Sequence, residues 1–346
     1  MKILKNDIID PGNFVTGTVL ALKGRINSNG FFETSDYTYP GVPSIPSMPD
    51  QYKNLVTIEE SKEVKPLFED LESREFVVFT SGIEFGNPTE KATTELFTRW
   101  MLGQYGTADE RLLSSRVSRV VVGGNTIGEE SDIDEVMKGS YRTHEINERV
   151  YCNLSSAIEQ FESFVTKLTQ NCDVDVMPGE NDVSGSFMPQ QPLNVALFPK
   201  LLSSSLKHNS LIFSTNPHKF SLNGLKFLGS SGQNIEDICR FRDMSSKSEL
   251  DILYETLQLR HIAPTCPDTL RSYPFENEDP LIIRDAPNVY FSCNAKEYSS
   301  MLETQLNGLM RIFTVPSFTK TKEVVLLDLG SLDTYSYKIQ IDESAD

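Results

Sequence analysis

Oxygen-bearing side chains follow a predicted β-strand in the stretch VDVMPGENDV, residues 174–183. Its first half is apolar and β-branched, as buried strands are, and Pro178-Gly179 then ends the strand. Glu180, Asn181 and Asp182 follow in the loop. Carboxylates and amides at strand ends are the kind of ligands that hold a pair of metal ions for phosphoester hydrolysis. The stretch therefore supports two hypotheses, a metal site or a loop whose polar groups only stabilise its own turn.

Four further predicted strands also end in loops of small and polar residues. These loops occupy 81–86, 123–125, 230–234 and 292–296. In an α/β protein such loops build binding sites at the ends of the strands, but the same residue types also make ordinary tight turns. The local pattern alone favours the turns.

The elements that position these loops alternate between strand and helix. Short apolar runs predict buried strands, and apolar residues three to four positions apart predict helices. The predicted strands are 76–79, 117–122, 174–177, 211–215, 225–229, 289–293, 310–315, 324–329 and 335–341. The predicted helices begin at Asn87-Pro88 and continue through Met101, and cover 143–170 and 248–262. This order predicts an α/β sandwich of two packed sheets flanked by helices.

The first 50 residues have a different character. Two β-rich runs, 14–22 and 31–39, are joined by KGRINSNG, whose Asn29-Gly30 is a turn signal. The proline-rich residues 40–50 predict a linker. We therefore expect a first unit over 1–50, a connecting segment over 51–74 and a main domain over 75–346. Because two strands alone are marginally stable, the first unit must pack on the main domain or on a partner.

Charge and composition limit the function classes. The chain has 346 residues and a net charge of −17. Because proteins bind nucleic-acid phosphates through Lys and Arg that release counterions, this acidity argues against direct, tight DNA binding.

No apolar run reaches the roughly 18 residues needed to cross a bilayer, and the N-terminus has no signal-peptide pattern, so we expect an intracellular protein without membrane contact. Five scattered cysteines without a CxxC pair predict neither a disulfide framework nor a zinc site.

Several catalytic classes lack their motifs. The sequence contains no GxxxxGK[ST], GxGxxG or GxSxG, and we predict no cofactor. The four histidines, at positions 144, 208, 218 and 261, lie far apart in the sequence, which favours surface or structural roles. Trp100 and the run Tyr273-Pro274-Phe275 are candidate interface anchors, although we favour core packing for each.

Five runs of the sequence closely resemble the B-subunit family of eukaryotic DNA polymerase delta. They are MPGENDVSGSFMPQQPLN (177–194), NGLKFLGSSGQNIEDI (223–238), RHIAPTCPDTLRSYPFENEDPLII (260–283), NVYFSCN (288–294) and VPSFTKTKEVVLLDL (315–329). The similarity extends over nearly the whole chain from about residue 14. It implies a catalytically inactive calcineurin-like phosphodiesterase domain preceded by an OB fold, of which residues 14–39 resemble only the last part.

The resemblance also implies a vestigial two-metal site at the strand ends. Its positions are Gly82, Glu84, Asn125, Glu180, Asn181, Ser231, Asn294 and Lys296. In active phosphodiesterases of this type Asp, His and Asn build the site, whereas this chain has no histidine at any of these positions. We therefore predict no catalytic residue and no metal centre. The oxygens of Glu84, Asn125, Glu180 and Asp182 leave open one weakly bound ion.

The function that the resemblance implies is that of a non-catalytic scaffold in a delta-type replicative DNA polymerase in the nucleus. Such a scaffold bridges the cysteine-rich C-terminal module of the catalytic subunit and a further accessory subunit, in DNA replication and repair. Two alternatives remain, an active metallophosphoesterase or nuclease and an OB-type single-strand-binding module. The latter has aromatic rings at Phe31, Phe32, Tyr37 and Tyr39 but little positive charge beside them.

Overall fold

A computed structural model describes residues 11–52, 65–87, 91–127, 144–203, 210–245, 247–305 and 308–339. The helices are α1 (Lys91–Met101), α2 (Ala108–Ser115), α3 (His144–Leu168), α4 (Pro199–Ser203), α5 (Gln233–Arg240), α6 (Glu249–Leu259) and α7 (Phe318–Thr321). The strands are β1 (Ala21–Ile26), β2 (Phe32–Thr38), β3 (Phe76–Thr80), β4 (Val117–Gly123), β5 (Asp173–Met177), β6 (Leu211–Phe213), β7 (His218–Leu222), β8 (Leu225–Ser230), β9 (Val289–Ala295), β10 (Ser299–Gln305), β11 (Gly308–Pro316), β12 (Glu323–Asp328) and β13 (Thr334–Lys338).

Two mixed sheets form the centre of the molecule. The first has the strand order β13-β12-β3-β4-β5-β6, in which β3 to β6 are parallel and β12 and β13 are antiparallel additions. The second has the order β10-β11-β9-β8-β7, with parallel β11, β9 and β8 between two antiparallel edge strands. Every residue of β3 and of β11 is buried, as expected for central strands covered on both faces.

The two sheets pack face to face through an apolar interface. At its centre the Phe79 ring lies 4.8 Å from the Phe291 ring and 5.0 Å from the Phe313 ring, measured between centroids, in edge-to-face geometry. Helices α1 to α4 cover the outer face of the first sheet, and α5 and α6 cover that of the second. The predicted two-sheet α/β sandwich is confirmed, and Trp100 packs in the core beneath α1 as predicted.

The sequence analysis missed the edge strands β7 and β10 and the short helices α2, α4, α5 and α7. The β10 sequence, SSMLETQ, is mostly polar and half-exposed, so no apolar run marks it. Edge strands have one partner and one solvent-facing side, and their composition resembles that of loops. The helices that were missed have at most eight residues, too few to show a period of 3.6.

The first β-run was placed too early in the sequence. Strand β1 begins at Ala21 and not at residue 14, and it pairs only with β2. The reason lies at Gly17, whose φ of +78° turns the chain against the Pro264 backbone. A Cβ at Gly17 would lie 2.9 Å from the Pro264 carbonyl carbon, so this close approach requires glycine.

The proline-rich segment after β2 is attached to the body of the molecule. Gly41 N donates to the Gln258 carbonyl at 3.0 Å, and Arg260 Nε donates to the Gly41 carbonyl at 2.8 Å. Met48 is buried at the edge of the interface between the sheets. The segment therefore connects the β1–β2 hairpin to the sandwich without standing away from it.

Some predictions fall outside the described residues. They are the connecting segment at 53–64, the helix start at Pro88 and the strand end beyond residue 339. Among the helices of the described ranges, none has the length and apolar character that crossing a membrane requires.

Replacing Phe79 with alanine tests the interface between the sheets. Because the change removes a ring with no solvent exposure from between two other rings, we expect a loss of about 3 to 5 kcal/mol in the free energy of unfolding, measured with urea. Val19→Ala, at a side chain that is 70% exposed, is the control and should cost less than about 0.5 kcal/mol. Equal small losses in both variants would contradict the packing described here.

Candidate functional site

The loops after β3 and β4 and the last residues of β9 meet at one edge of the sandwich. Gly82 N donates to the Gly124 carbonyl at 2.9 Å, and Asn294 N donates to Ser81 Oγ at 2.9 Å. Glu84 N lies 3.3 Å from the Asn125 carbonyl. The bond between Asn294 and Ser81 crosses from the second sheet to the first. The edge predicted to carry the vestigial site is therefore a real junction of loops.

The Asn294 side chain links both sheets at this junction. Its Nδ2 donates to the Gly123 carbonyl at 3.2 Å, at the end of β4, and to the Ser231 carbonyl at 2.8 Å, just beyond β8. A neutral amide near the end of β9 thus connects backbone oxygens at the ends of β4 and β8. A Cβ built on Gly82 would lie 2.9 Å from Asn294 Oδ1, so the space in front of this amide does not admit a larger residue at position 82 without movement.

Gly124 brings the loops after β4, β5 and β8 into direct contact. Its φ is +91°, a conformation that favours glycine. A Cβ at this position would lie 2.8 Å from both Gly179 Cα and Ser231 Cβ, closer than unbonded carbons approach. Backbone and small side chains therefore fill the place where the loops converge.

Asp182, the last carboxylate of the opening stretch, is buried and fully used by its own protein. Its Oδ1 accepts from Thr126 N at 2.7 Å and from Ile127 N at 2.8 Å, while Oδ2 accepts from Gly179 N at 2.8 Å. Burial raises the pKa of the Asp182 carboxyl, and the backbone N–H donors oppose that rise. The carboxylate joins the loop after β5 to the loop after β4, which is the turn-stabilising role left open by the sequence.

Three of the predicted site positions do not contribute a side chain to the loop junction. Glu180 is exposed at the rim. The Lys296 side chain is 88% exposed, and its Nζ lies 3.9 Å from Glu249 Oε1. Glu84 lines a separate cleft of about 640 Å³ between α1 and α3, whose described lining includes none of the other seven predicted positions.

Asn125 and Asn181 remain at the junction but bind each other. Asn181 N donates to Asn125 Oδ1 at 3.0 Å, so the oxygen considered as an ion ligand already accepts a hydrogen bond. Asn125 also has a φ of 52°, a left-handed turn that Asn tolerates. The four oxygens considered for one weak ion therefore do not form a common ligand set.

The remaining metal-ligand types are also unsuited or distant. Burial raises the pKa of the Cys293 thiol, and only the thiolate is a good ligand. His218 stacks on Phe220 and its Nε2 lies 3.2 Å from Asp175 Oδ2, while His261 Nε2 lies 3.0 Å from Asp279 Oδ2. Both histidines are structural, as predicted, whereas the side chains of His144 and His208 are not described.

The donor set does not fit a two-metal centre. Within the described part of the chain, no group of three or more His, Cys, Asp and Glu side chains is placed to hold an ion. Hard divalent cations need several convergent carboxylate or carbonyl oxygens, and catalytic sites of this type add imidazole. What the loops present instead is a set of amides, hydroxyls and glycines.

A buried amide network beside the junction escaped the sequence analysis. Asn216 Nδ2 lies 2.7 Å from Gln190 Oε1, 2.8 Å from Ser231 Oγ and 2.9 Å from Gln233 Oε1. Gln190 Nε2 in turn donates to the Gly179 carbonyl at 3.0 Å. Gln190 and Gln233 stood within the unusual runs MPQQP and SSGQN, which was the available signal, but only the fold shows that they meet.

Replacing Asp182 with alanine tests its structural role. Three backbone N–H groups would lose a charged, buried acceptor, so we expect a loss of about 2 to 4 kcal/mol in the free energy of unfolding, measured with urea. Glu180→Ala, two residues earlier and exposed, is the matched control and should change stability by less than about 0.5 kcal/mol. If the two substitutions cost the same, Asp182 does not hold the loops together.

Comparisons with known proteins give matches over most of the chain. A family model for the B subunits of DNA polymerases alpha and epsilon matches residues 77–300. The DNA polymerase delta small subunit of Arabidopsis thaliana is 31% identical over 345 residues, covering 99% of this chain and 71% of the relative. That of Saccharomyces cerevisiae is 27% identical over 365 residues, covering 98% of this chain and 68% of the relative.

More distant matches extend to archaea. The DNA polymerase II small subunit of Archaeoglobus fulgidus is 26% identical over 220 residues, which is 62% of this chain and 41% of that protein. A solved archaeal phosphodiesterase aligns with 76% of this chain and 98% of its own, at 11% identity and a TM-score of 0.34, a likeness too weak to bear on function. On the family model and the plant and yeast relatives, the chain belongs to the DNA polymerase B-subunit family, with the delta small subunits among its relatives.

Proposed function

We propose that this chain is the non-catalytic scaffold subunit of a delta-type replicative DNA polymerase. It acts in the nucleus, in DNA replication and repair. There it bridges the cysteine-rich C-terminal module of the catalytic subunit and a further accessory subunit. Membership of the B-subunit family supports the role in replication. The identity of the two partners and the bridging role rest on the resemblance to the family alone.

The observation that carries the non-catalytic part is the Asn294 amide at the junction of the loops. Active metallophosphoesterases need open coordination positions where the strand ends meet. Here Asn294 Nδ2 donates to carbonyls of two loops, and Gly124 packs against Gly179 and Ser231 in the same region. Asn294 Oδ1 is buried and accepts no hydrogen bond, but a single amide oxygen does not hold a pair of metal ions, and the contacts around the amide leave little space beside it.

Charge supports a protein-binding role over a DNA-binding role. The net charge of −17 places a repulsive field between this chain and nucleic-acid phosphates. The same charge is suited to basic surfaces of partner proteins, because complementary potentials accelerate association and select partners.

We also propose that residues 75–346 form the phosphodiesterase-like domain and that residues 14–39 are the last part of an OB fold. In support, both central sheets take their strands from Phe76 onward, and the β1–β2 hairpin makes a sheet of its own among the described residues. Tyr39 OH donates to Glu255 Oε1 at 3.2 Å, which fixes the hairpin to α6.

A metal and hydrolysis assay tests the absence of catalysis. After dialysis against Mn²⁺ and removal of free ions, we expect substoichiometric manganese by mass spectrometry and no hydrolysis of bis-p-nitrophenyl phosphate. An active metallophosphoesterase is the positive control. The opposite result, stoichiometric metal with hydrolysis that disappears in the exposed-site variant Glu180→Ala, would establish the enzyme alternative.

Co-purification tests the scaffold role. The full chain, co-expressed with the C-terminal module of a delta-type catalytic subunit, should co-elute with that module in gel filtration. A parallel arm with the accessory subunit should yield a three-component complex, since bridging requires that both bind at once. A folded chain that associates with neither protein would refute the proposal.

A further inference from the structure

Three aromatic side chains form an exposed cluster on the second half of the sandwich, which we call the aromatic surface. Its members are Phe187, Tyr273 and Phe275, which are 42%, 41% and 43% exposed. The Phe187 and Tyr273 ring centroids lie 5.5 Å apart, and those of Tyr273 and Phe275 lie 6.5 Å apart. Single exposed apolar residues are ordinary, whereas three neighbouring exposed rings form an apolar patch of the kind that binding surfaces carry.

The expectation that Tyr273 and Phe275 pack in the core is wrong. The neighbouring residues Met188, Leu281 and Ile283 belong to the core, each at most 2% exposed, whereas Tyr273 and Phe275 do not. The two rings therefore lie outside the core that their own loops contribute to. Folding alone gives no reason for large aromatic residues at these exposed positions.

The backbone that carries the aromatic surface is fixed by hydrogen bonds between its two loops. Met188 N donates to the Arg271 carbonyl at 2.8 Å, and Tyr273 N donates to the Met188 carbonyl at 3.0 Å. Because Met188 is buried, this pairing anchors both loops to the core. Rings held on an ordered backbone lose little conformational entropy when they bind a partner.

The charges of the two loops are predominantly negative. Apart from the buried Asp182, residues 180–191 and 268–285 contain six carboxylates and two guanidinium groups. The carboxylates are Glu180, Asp268, Glu276, Glu278, Asp279 and Asp285, and the guanidinium groups are Arg271 and Arg284, of which Arg284 pairs with Glu278. Glu276 directly follows Phe275 and is exposed, so negative charge adjoins the rings themselves.

Exposed rings beside carboxylates determine which kind of ligand the aromatic surface can bind. Guanidinium and ammonium groups bind aromatic faces through cation–π contacts and also pair with neighbouring carboxylates. Single-stranded nucleic acid would stack on the rings equally well, but its phosphates would face the carboxylates. An occupant with Arg or Lys beside an apolar side chain satisfies both features of the surface.

We propose that the aromatic surface docks a basic segment of a polymerase partner subunit, with an Arg or Lys side chain over the rings and an apolar side chain between them. The proposal rests on the scaffold function proposed above and assigns one of its interfaces to these loops. Aromatic residues at the centre of an interface supply most of the binding energy, and charges at the rim mainly set the rate of association.

Affinity measurements on the full chain test this proposal. The triple variant Phe187→Ala/Tyr273→Ala/Phe275→Ala is compared with wild type for binding to the catalytic subunit's C-terminal module and, separately, to the accessory subunit. We expect at least about a tenfold loss of affinity toward one of them and no change toward the other. Phe241→Ala, at a 56% exposed ring outside the surface, is the matched control and should bind both as wild type does.

A charge variant supplies the second readout. Glu276→Gln/Glu278→Gln should slow association with the same subunit and reduce its dependence on salt, while leaving the melting temperature unchanged. Circular dichroism and thermal unfolding of the triple variant establish that any lost binding is not lost folding. If the triple variant is unfolded, the charge variant and the single change Phe275→Ala decide the question by the same criterion.

The remaining outcomes distinguish a failure of the docking proposal from a failure of the scaffold function. If wild type binds both subunits and the triple variant binds them equally well, the docking proposal fails and the scaffold function stands. If wild type binds neither, the scaffold function fails and the docking proposal with it. Binding of fluorescent oligothymidylate that the triple variant loses would assign the surface to nucleic acid, and loss of a wild-type dimer would assign it to a second copy of the chain.

Discussion

The apolar contact between the two sheets is the constraint on which the other features depend. Phe79 of the first sheet meets Phe291 and Phe313 of the second, and helices cover both outer faces. Since the central strands are parallel within each sheet, packing the sheets together brings their loops to a common edge. The junction of loops exists because this core holds the strand ends of the two sheets next to each other.

At that junction, tight turns and polar side chains hold the strand ends together. Glu84, Asn125 and Asn294 each have a φ between 52° and 56°, in the left-handed region. For a residue other than glycine, this conformation normally costs about 1 kcal/mol or more of conformational energy. Amide and carboxylate hydrogen bonds to backbone groups hold these turns. Asn294 and Asp182 therefore provide from within the protein the cross-linking that an ion would provide between ligands.

A closed junction and an acidic exterior together favour a role in assembly. Hydrogen bonds of Asp182 and of Asn294 Nδ2 tie the loops of the strand-end edge to one another. The recognisable outward feature in the described residues is instead the aromatic surface, where ordered loops present rings beside carboxylates. Rigidity is an advantage for a scaffold, because surfaces that are ordered before binding lose less entropy in the complex.

Much of this molecule could be predicted from the sequence, for reasons that are local. The apolar runs at 76–79 and 117–122 and the long helical period over 143–170 determine buried strands and a helix, since burial on both faces requires continuous hydrophobicity. The glycine and asparagine positions indicated sharp turns at the strand ends. Edge strand β10 was not predictable, because its polar sequence is typical of loops as well.

The tertiary structure decided what the same residue types do. Asp182 and Glu180 stand two positions apart with equal charge, yet one is buried under three N–H donors and the other is exposed. Tyr273 and Trp100 are both large and aromatic, yet only Trp100 enters the core. Sequence by itself determined which segments are apolar enough to be buried and where the chain turns. Only the packing of distant segments determined which polar groups meet and which rings stay outside, because burial and hydrogen-bond partners are properties of neighbours that are far apart in the chain.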